Sequence, residues 1–343
     1  MIGAVTPAPR SSDVAPLAAW SKPRLAYILA ASHSGSTLLA MLLGAQQKTC
    51  TAGELKATSL GDVERYRCSC GTLLKCCSFW MQVSEAMRRR GYAFDVVNAR
   101  TSIHGVSSPY ARRLLDALHR GPLLEWVRDC GLNLSPQWRA HLRETQQRNQ
   151  ALVESLQDIT GAAVVVDSSK IALRLKYLRR LPALDVRVIR LIRDGRAVAL
   201  TYMDEWSFAD AANPSCRGGG TGERRRNQRS MADAAHEWRR SNEAADCLTA
   251  TLDRSEWTEV RYEDLCADPE ETLRMLGAFL GLPTARIVTD FRAVPQHVIG
   301  NGMRFDTSSE IRLDERWKTH LTAEDLQVFD QLAGDLNRRY GYR

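Results

Sequence analysis

The stretch Arg24–Gln46 constrains the fold most, because an apolar strand, a short polar loop and an apolar helix follow one another in it. Leu25–Ala31 is a continuous apolar run of strand length, which is typical of a strand buried on both faces. Leu38–Leu43 is also apolar and lacks proline, so it predicts the first turns of a buried helix. Ser32–Thr37 lies between them and is small and polar. This succession is typical of a strand–helix unit in an α/β protein.

The polar loop is a candidate anion site. Backbone N–H groups at a helix start have no partner inside the helix, and the helix dipole adds positive potential. Gly35 allows the backbone to approach a phosphate, and Ser36 and Thr37 add hydroxyl donors. The loop is not a Walker A loop, because no lysine precedes Ser36 or Thr37. From this segment alone, an ordinary strand–turn–helix corner remains the alternative.

Length and charge limit the number of domains and the classes of ligand that this chain is expected to have. A chain of 343 residues is long enough for one large α/β domain or two small ones. Its net charge of +7 favours anionic ligands, although such a charge also increases solubility. Its basic residues are spread along the chain without a recognisable nucleic-acid-binding module, so we predict no nucleic-acid partner. No apolar run approaches the roughly 20 residues of a membrane span. Residues 1–21 contain three prolines and no signal-peptide core, which predicts a disordered leader and a cytoplasmic protein.

Two further strands end in polar corners. Ala162–Val166 is followed by Asp167, Ser168, Ser169 and Lys170, and Val186–Ile192 runs into Arg193. The carboxyl ends of parallel strands meet at one edge of a sheet, so these corners are expected to gather there. Trp257–Tyr262 predicts another strand.

Glu54 follows the first crossover and is expected to face the anion loop. A carboxylate beside a phosphate site is electrostatically costly unless it has a task such as accepting a proton. The alternative is a solvated surface glutamate. Residues 79–157 are rich in helix formers, which predicts a helical insertion that covers the sheet edge and shapes acceptor specificity.

Four of the nine cysteines lie close together, namely Cys68, Cys70, Cys76 and Cys77. Their spacing lacks the paired C-x2-C of common structural zinc sites, and no histidine is near them in sequence. A disulfide or a loop of free thiols is therefore favoured over a metal, and we assign no metal ligand.

Taken together, these segments resemble the sulfotransferases that use 3′-phosphoadenosine 5′-phosphosulfate (PAPS). In that family a loop similar to Ser32–Thr37 binds the 5′-phosphosulfate, and an Arg at a strand end with a hydroxyl residue eight positions later binds the 3′-phosphate, as Arg193 and Thr201 are spaced here. The strand end at Arg261–Leu265 and the later Gly300–Arg304 segment also match the family pattern. The resemblance implies nucleotide contacts from Ser34, Gly35, Ser36, Thr37, Arg193, Thr201, Tyr262, Asn301 and Arg304.

The resemblance also implies the catalytic groups. Tyrosylprotein sulfotransferases carry a catalytic Glu at a similar distance beyond the first loop, so Glu54 is the expected base and His297 its rival. His33 stands where the family has a cationic Arg or Lys, and imidazolium there is feasible because a phosphate raises the pKa of a nearby His. Lys170 lies two positions beyond the place where many relatives have a lysine, and it is expected to reach the sulfuryl oxygens.

The resemblance implies an α/β, P-loop-like three-layer sandwich with a central parallel sheet, formed by a single domain over residues 22–343. The expected reaction is in-line transfer of a sulfuryl group from PAPS to a hydroxyl or phenol, with adenosine 3′,5′-bisphosphate (PAP) as product. A P-loop-like kinase and a non-catalytic nucleotide-binding protein are the alternatives. The sequence does not distinguish a small-molecule acceptor from a peptide or carbohydrate, nor does it indicate an oligomeric state.

Overall fold

The computed structural model describes residues 22–56, 66–116, 122–204, 229–306 and 308–343, so the predicted leader lies outside the described residues. The strands are β1 (Arg24–Ala30), β2 (Thr49–Gly53), β3 (Val164–Lys170), β4 (Asp185–Ile192) and β5 (Trp257–Arg261). They form one sheet in the order β2-β3-β1-β4-β5, and every neighbouring pair is parallel. The predicted central parallel sheet is therefore confirmed.

The α-helices of the described residues lie between and after these strands. They are α1 (Ser36–Gly44), α2 (Ser78–Arg89), α3 (Pro109–Asp116), α4 (Pro122–Leu134), α5 (Pro136–Thr160), α6 (Ala172–Leu178), α7 (Gly195–Met203), α8 (Met231–Thr249), α9 (Tyr262–Ala267), α10 (Pro269–Leu280), α11 (Trp317–His320) and α12 (Ala323–Arg339). No helix within these ranges is long and apolar enough to cross a bilayer.

Side chains of β1 point alternately into two separate cores, as the period of two in a strand requires. Leu25, Tyr27 and Leu29 pack with α2, α5 and α6, whereas Ala26 and Ile28 pack with α1 and α10. Every residue of β1 is buried. The apolar run therefore forms the central strand of a three-layer sandwich, because both of its faces are covered by helices.

In the described part of the segment between β2 and β3, the predicted helix formers form α2, α3, α4 and α5, of which α5 is the longest. Leu152 and Leu156 of α5 are almost fully buried in the same core as Leu25. Ser135 caps α5 by accepting a 3.2 Å hydrogen bond from the N–H of Trp138, and Pro136 occupies its first turn. These helices cover one face of the sheet. Their proposed role in acceptor binding remains a prediction.

Candidate active site

The carboxyl ends of all five strands carry predicted site residues. Ser32–Thr37 follows β1, Glu54 follows β2, and Lys170 ends β3. Arg193 follows β4. Tyr262 was predicted to be the last residue of β5, but the strand ends at Arg261 and Tyr262 is the first residue of α9. β1 and β4 are neighbours whose onward connections lead to opposite sides of the sheet, and ligands bind at such a switch point in open α/β sheets.

Gly35 packs against the ring of Tyr262. Gly35 is the N-cap of α1 with φ 86°, and a Cβ atom placed on it would lie 2.4 Å from Cδ2 of Tyr262. The guanidinium of Arg193 lies over the same Tyr262 ring, 4.4 Å from its centre. Nη1 of Arg193 also donates a 2.9 Å hydrogen bond to the carbonyl of His33. The loop after β1 and the arginine after β4 are thus brought together at one edge of the sheet.

Glu54 is held between two ammonium groups. Lys170 Nζ donates to its Oε1, and Lys56 Nζ lies 2.9 Å from its Oε2. Burial raises the pKa of Glu54, but the two lysines outweigh this effect and bring the pKa to about 2. Burial also lowers the pKa of Lys170, although Glu54 opposes that shift. Lys56 was missed by the sequence reasoning.

Asp167 and Ser169 set the backbone that carries Glu54. The N–H of Leu55 donates a 3.1 Å hydrogen bond to Asp167 Oδ1, and the N–H of Lys56 donates a 2.9 Å hydrogen bond to Ser169 Oγ. Asp167 has 0% of its surface exposed and also accepts a 2.9 Å hydrogen bond from the N–H of Ser169. The end of β3 therefore positions the residues that follow β2.

A second segment closes over Glu54 from the C-terminal part of the chain. The N–H of Glu54 approaches the carbonyl of Ile299 at 3.4 Å, and Ile299 forms a parallel bridge with Gly53. Gly53 has φ 86°, and a Cβ atom on it would lie 2.0 Å from the Ile299 carbonyl oxygen. The chain at Ile299 therefore lies against the backbone of the candidate base.

His33 lies among the charged groups of the site. Its ring and the ring of Tyr202 are nearly perpendicular, with centroids 5.0 Å apart. Burial, together with the cations Lys170 and Arg193, lowers its pKa to about 3, although Glu54 opposes this shift. The protein's own groups therefore favour neutral imidazole, so the imidazolium considered from sequence requires an added anion.

Two site residues have an unusual backbone conformation. Four described non-glycine residues have positive φ, and His33 at 63° and Lys170 at 69° are two of them. Such conformations cost energy and are found where surrounding structure enforces them, often at functional sites. Both residues lie at carboxyl ends of adjacent strands.

Arg193 also contacts a carboxylate that the sequence did not single out. Its Nη2 donates to Asp314 at 3.1 Å to Oδ2 and 3.3 Å to the backbone carbonyl. Hydrogen bonds from Arg316, together with the charge of Arg193, hold the pKa of Asp314 well below its usual range. In sequence, Asp314 is one of several alternating charges, and nothing local distinguishes it from a surface residue.

The remaining predicted nucleotide contacts differ in their surroundings. Ser34 is buried in the loop, Ser36 is buried as the first residue of α1, and Thr37 is half-buried. Thr201 lies on α7, where its hydroxyl donates a 3.1 Å hydrogen bond to the carbonyl of Ala197, so its role toward a phosphate remains a prediction.

Arg304 is engaged by protein backbone. It has 1% of its surface exposed, and its Nη1 donates to the carbonyls of Gly300 at 2.6 Å and Asn301 at 3.2 Å. Its Nε donates to the carbonyl of Arg67 at 3.1 Å. Asn301 accepts a 2.9 Å hydrogen bond from the N–H of Met303. These contacts favour a structural role for Arg304 over the predicted nucleotide contact.

His297, the rival base, lies beside cysteines. Its Nδ1 is 3.3 Å from Cys77 Sγ and 3.6 Å from Cys68 Sγ, and its ring stacks on Phe79 with centroids 4.6 Å apart. Burial lowers its pKa. Nδ1 of His297 thus faces two sulfurs, and the choice between Glu54 and His297 as the base remains a prediction.

Comparison with known proteins gives one family. A model described as the sulfotransferase family matches residues 26–286, from β1 through α10. No curated protein matches the chain.

Solved structures of low identity were also found. The sulfotransferase domain from the curacin biosynthetic pathway is 18% identical, with 90% of this chain and 97% of that domain covered at a TM-score of 0.46. The sulfotransferase domain of the Synechococcus PCC 7002 olefin synthase is 17% identical, with 91% and 97% covered at a TM-score of 0.48. Mouse sulfotransferase SULT7A1 complexed with PAP is 10% identical, with 93% and 88% covered at a TM-score of 0.47.

Proposed function

Because the chain belongs to the sulfotransferase family, we propose that it transfers a sulfuryl group from PAPS to a hydroxyl or phenol oxygen. The single observation that carries the proposal is the convergence of the Gly35 loop, Arg193 and Glu54 at one edge of the sheet. PAPS carries two separate anionic groups and thus needs two anion sites.

The donor is proposed to bind between β1 and β4. The backbone from Ser34 to Thr37 and the N-terminus of α1 receive the 5′-phosphosulfate, because that helix end offers N–H donors and has no acidic residue in its first turn. Arg193 receives the 3′-phosphate through paired N–H donors, with help from Thr201. The ring of Tyr262, already in contact with Gly35, lies near the adenine.

The proposed chemical step is an in-line displacement. Glu54 accepts the proton of the acceptor O–H, and the acceptor oxygen forms a bond to sulfur. The bond between sulfur and the bridging oxygen of the 5′-phosphate breaks, and PAP leaves with that electron pair. Lys170 and the N–H groups of the loop stabilise the charge that develops on the departing oxygen.

The ion pair between Glu54 and Lys170 supports an exchange of partners on donor binding. A carboxylate with a pKa of about 2 is a weak base, because base strength falls with pKa. The sulfuryl oxygens of PAPS compete for the Lys170 ammonium. When Lys170 turns toward the donor, Glu54 loses its nearest cation and its pKa rises. The same movement therefore stabilises the donor and activates the base.

Thermal unfolding with nucleotides tests the donor assignment. PAP at saturating concentration is expected to raise the melting temperature by mass action, and more than AMP or ATP at the same concentration. A larger shift with ATP would favour the kinase alternative.

Transfer of labelled sulfate from PAPS to a panel of phenols, sugars, alcohols and tyrosine peptides then tests catalysis. The expected transfer proceeds without added magnesium, unlike phosphoryl transfer from ATP. PAP binding without transfer to any of these acceptors would favour the non-catalytic alternative.

A further inference from the structure

Four potential metal ligands from distant parts of the chain meet beside the candidate active site. Cys68 Sγ, Cys70 Sγ, Cys77 Sγ and a ring nitrogen of His297 all lie within 4.8 Å of one another. Cys68 and Cys77 are buried, whereas Cys70 is exposed. The histidine that the local sequence lacked is supplied from 220 residues beyond Cys77.

Three separations within the cluster match the edges of a zinc tetrahedron. Zinc–sulfur bonds of about 2.3 Å and zinc–nitrogen bonds of about 2.0 Å place two sulfurs about 3.8 Å apart and a sulfur about 3.5 Å from a nitrogen. Cys70 Sγ lies 3.8 Å from Cys77 Sγ. His297 Nδ1 lies 3.3 Å from Cys77 Sγ and 3.6 Å from Cys68 Sγ. Three of the six separations therefore have the lengths of tetrahedron edges, and the other three do not exceed 4.8 Å.

The backbone presents these ligands through a tight turn and a helix start. The N–H of Gly71 donates a 2.8 Å hydrogen bond to the carbonyl of Cys68, and Gly71 adopts φ 83°. This turn brings Cys68 and Cys70 to one side. Cys77 is the N-cap of α2, so this ligand lies at the start of that helix.

His297 is held in place by contacts outside the ligand cluster. Its ring stacks on Phe79 with an interplanar angle of 6°. Ser69, between two of the cysteines, donates from Oγ to the carbonyl of Gln296 at 2.6 Å and accepts at Oγ from the N–H of Val298 at 2.8 Å. Both neighbours of His297 are therefore tied to the cysteine turn, so the site is already arranged by the fold.

We propose that Cys68, Cys70, Cys77 and His297 bind one structural zinc ion. Three thiolates and one imidazole in a tetrahedron are a common ligand set for structural zinc, and soft sulfur ligands disfavour magnesium and calcium. Four protein ligands leave no position open for a substrate, which distinguishes this site from a catalytic one. His297 is then a ligand and not a base.

The ion would fasten the chain that lies against Glu54. Ile299 is two residues beyond His297 and bridges Gly53 at the end of β2. A zinc ion would thus tie the cysteine turn, the start of α2 and the segment beside the candidate base to one point. Its loss is expected to loosen this side of the site and to leave the Arg193 side intact.

Metal analysis of the purified full chain tests the proposal. About one zinc per chain is expected, and Cys77→Ser should retain less than a tenth of it. Cys76→Ser is the matched control, because Cys76 is adjacent and exposed but is not in the cluster, and it should retain full zinc. Equal zinc in Cys77→Ser and the control, or iron or copper in place of zinc, would overturn the assignment.

A measurement on the unaltered chain covers the case in which Cys77→Ser does not fold. Cobalt added to the chelator-treated chain should produce thiolate charge-transfer absorption and the intense visible bands of a tetrahedral site, and zinc should abolish them. A chain that shows neither band after full reduction, or that carries a Cys70–Cys77 disulfide and takes up no metal once reduced, refutes the site. Neither measurement uses PAPS or an acceptor, so the result is independent of the proposed transfer.

Discussion

Arg193 donates a 3.1 Å hydrogen bond to the carboxylate of Asp314, so the cation assigned to the 3′-phosphate already has an anionic partner from the protein. The backbone carbonyl of Asp314 accepts a second bond from the same nitrogen at 3.3 Å. A phosphate that binds Arg193 must therefore compete with this carboxylate.

Replacing Asp314 with Asn should tighten PAP binding. The amide keeps the size of the side chain and the backbone contact, but it removes the competing charge. We expect about a fivefold lower dissociation constant, equivalent to about 1 kcal/mol for a partly exposed ion pair. Isothermal titration calorimetry measures the dissociation constant of PAP. Asp330→Asn is the control for net charge, since Asp330 is exposed and pairs with Arg338 on α12. Weaker binding to Asp314→Asn would mean that Asp314 orients Arg193 for the nucleotide.

Gly35→Ala should lose donor binding as well as stability. A left-handed conformation costs an L-residue roughly 1 kcal/mol, and at Gly35 the new methyl also displaces the Tyr262 ring. Gly91→Ala is the matched control, because Gly91 has φ 84° with nothing within 4 Å of the added carbon. Urea unfolding should show a lower free energy of unfolding in both variants, because both place alanine in a left-handed conformation. PAP titration should show a loss of affinity in Gly35→Ala only. Equal PAP affinity in the two variants would contradict the assigned loop.

Glu54→Gln should abolish turnover and spare nucleotide binding. A positioned general base contributes roughly 10²–10⁴-fold to the rate, and that factor is lost with the carboxylate. Removing a negative charge near an anion site leaves PAP affinity equal or higher. Single-turnover transfer from labelled PAPS and PAP titration separate the two effects. Near-normal turnover in this variant would exclude Glu54 as the base.

The pH–rate profile of Lys170→Met tests whether Lys170 sets the pKa of Glu54. Without the Lys170 ammonium the pKa of Glu54 should rise from its low value, so the acid limb of the pH–rate profile moves to higher pH. The rate at the plateau should fall because the donor loses a cation. An acid limb at the same pH as in the unaltered enzyme would argue that Lys170 does not control Glu54.

Arg304→Met should affect stability more than donor binding. The side chain is buried and its donors are engaged by backbone carbonyls, which the substitution leaves without these partners. We expect a loss of about 2 kcal/mol in the free energy of unfolding and a PAP dissociation constant within about twofold of the original. A large loss of PAP affinity in a folded variant would restore the nucleotide contact predicted from sequence.

His33 should make the protein less stable in mild acid. Its folded pKa is depressed below 6.5 to about 3, so between these values the unfolded chain binds more protons than the folded one. Stability from this group is therefore full above pH 6.5 and falls as pH decreases through that window. Chemical unfolding at pH 7 and pH 5 should show a smaller decrease for His33→Asn than for the unaltered chain. An equal decrease would assign the acid sensitivity to other groups.

Bound PAP should oppose this effect. Lys170 and Arg193 lower the pKa of His33, and Glu54 raises it. A phosphate bound in the predicted loop should raise that pKa by more than the two cations lower it. The pH dependence of stability should therefore weaken at saturating PAP in the unaltered chain and stay unchanged in His33→Asn.

The sequence alone determined the parallel sheet and the edge that carries the site. An apolar run of strand length such as Leu25–Ala31 favours a strand covered on both faces, and parallel strands place their carboxyl ends together. The polar residues that follow each run, among them Gly35, Lys170 and Arg193, could therefore be assigned to one region from local pattern and family resemblance.

Only the tertiary structure decided which charges and ligands meet. Glu54 pairs with Lys170 across 116 residues, Arg193 with Asp314 across 121, and Cys77 faces His297 across 220. Residue type shows that a side chain can bind a cation, an anion or a metal, but it does not identify which distant residue is its partner. Those partners follow from strand order and from the packing of loops over the sheet edge, because Coulomb and coordination energies depend on distances that no local pattern encodes.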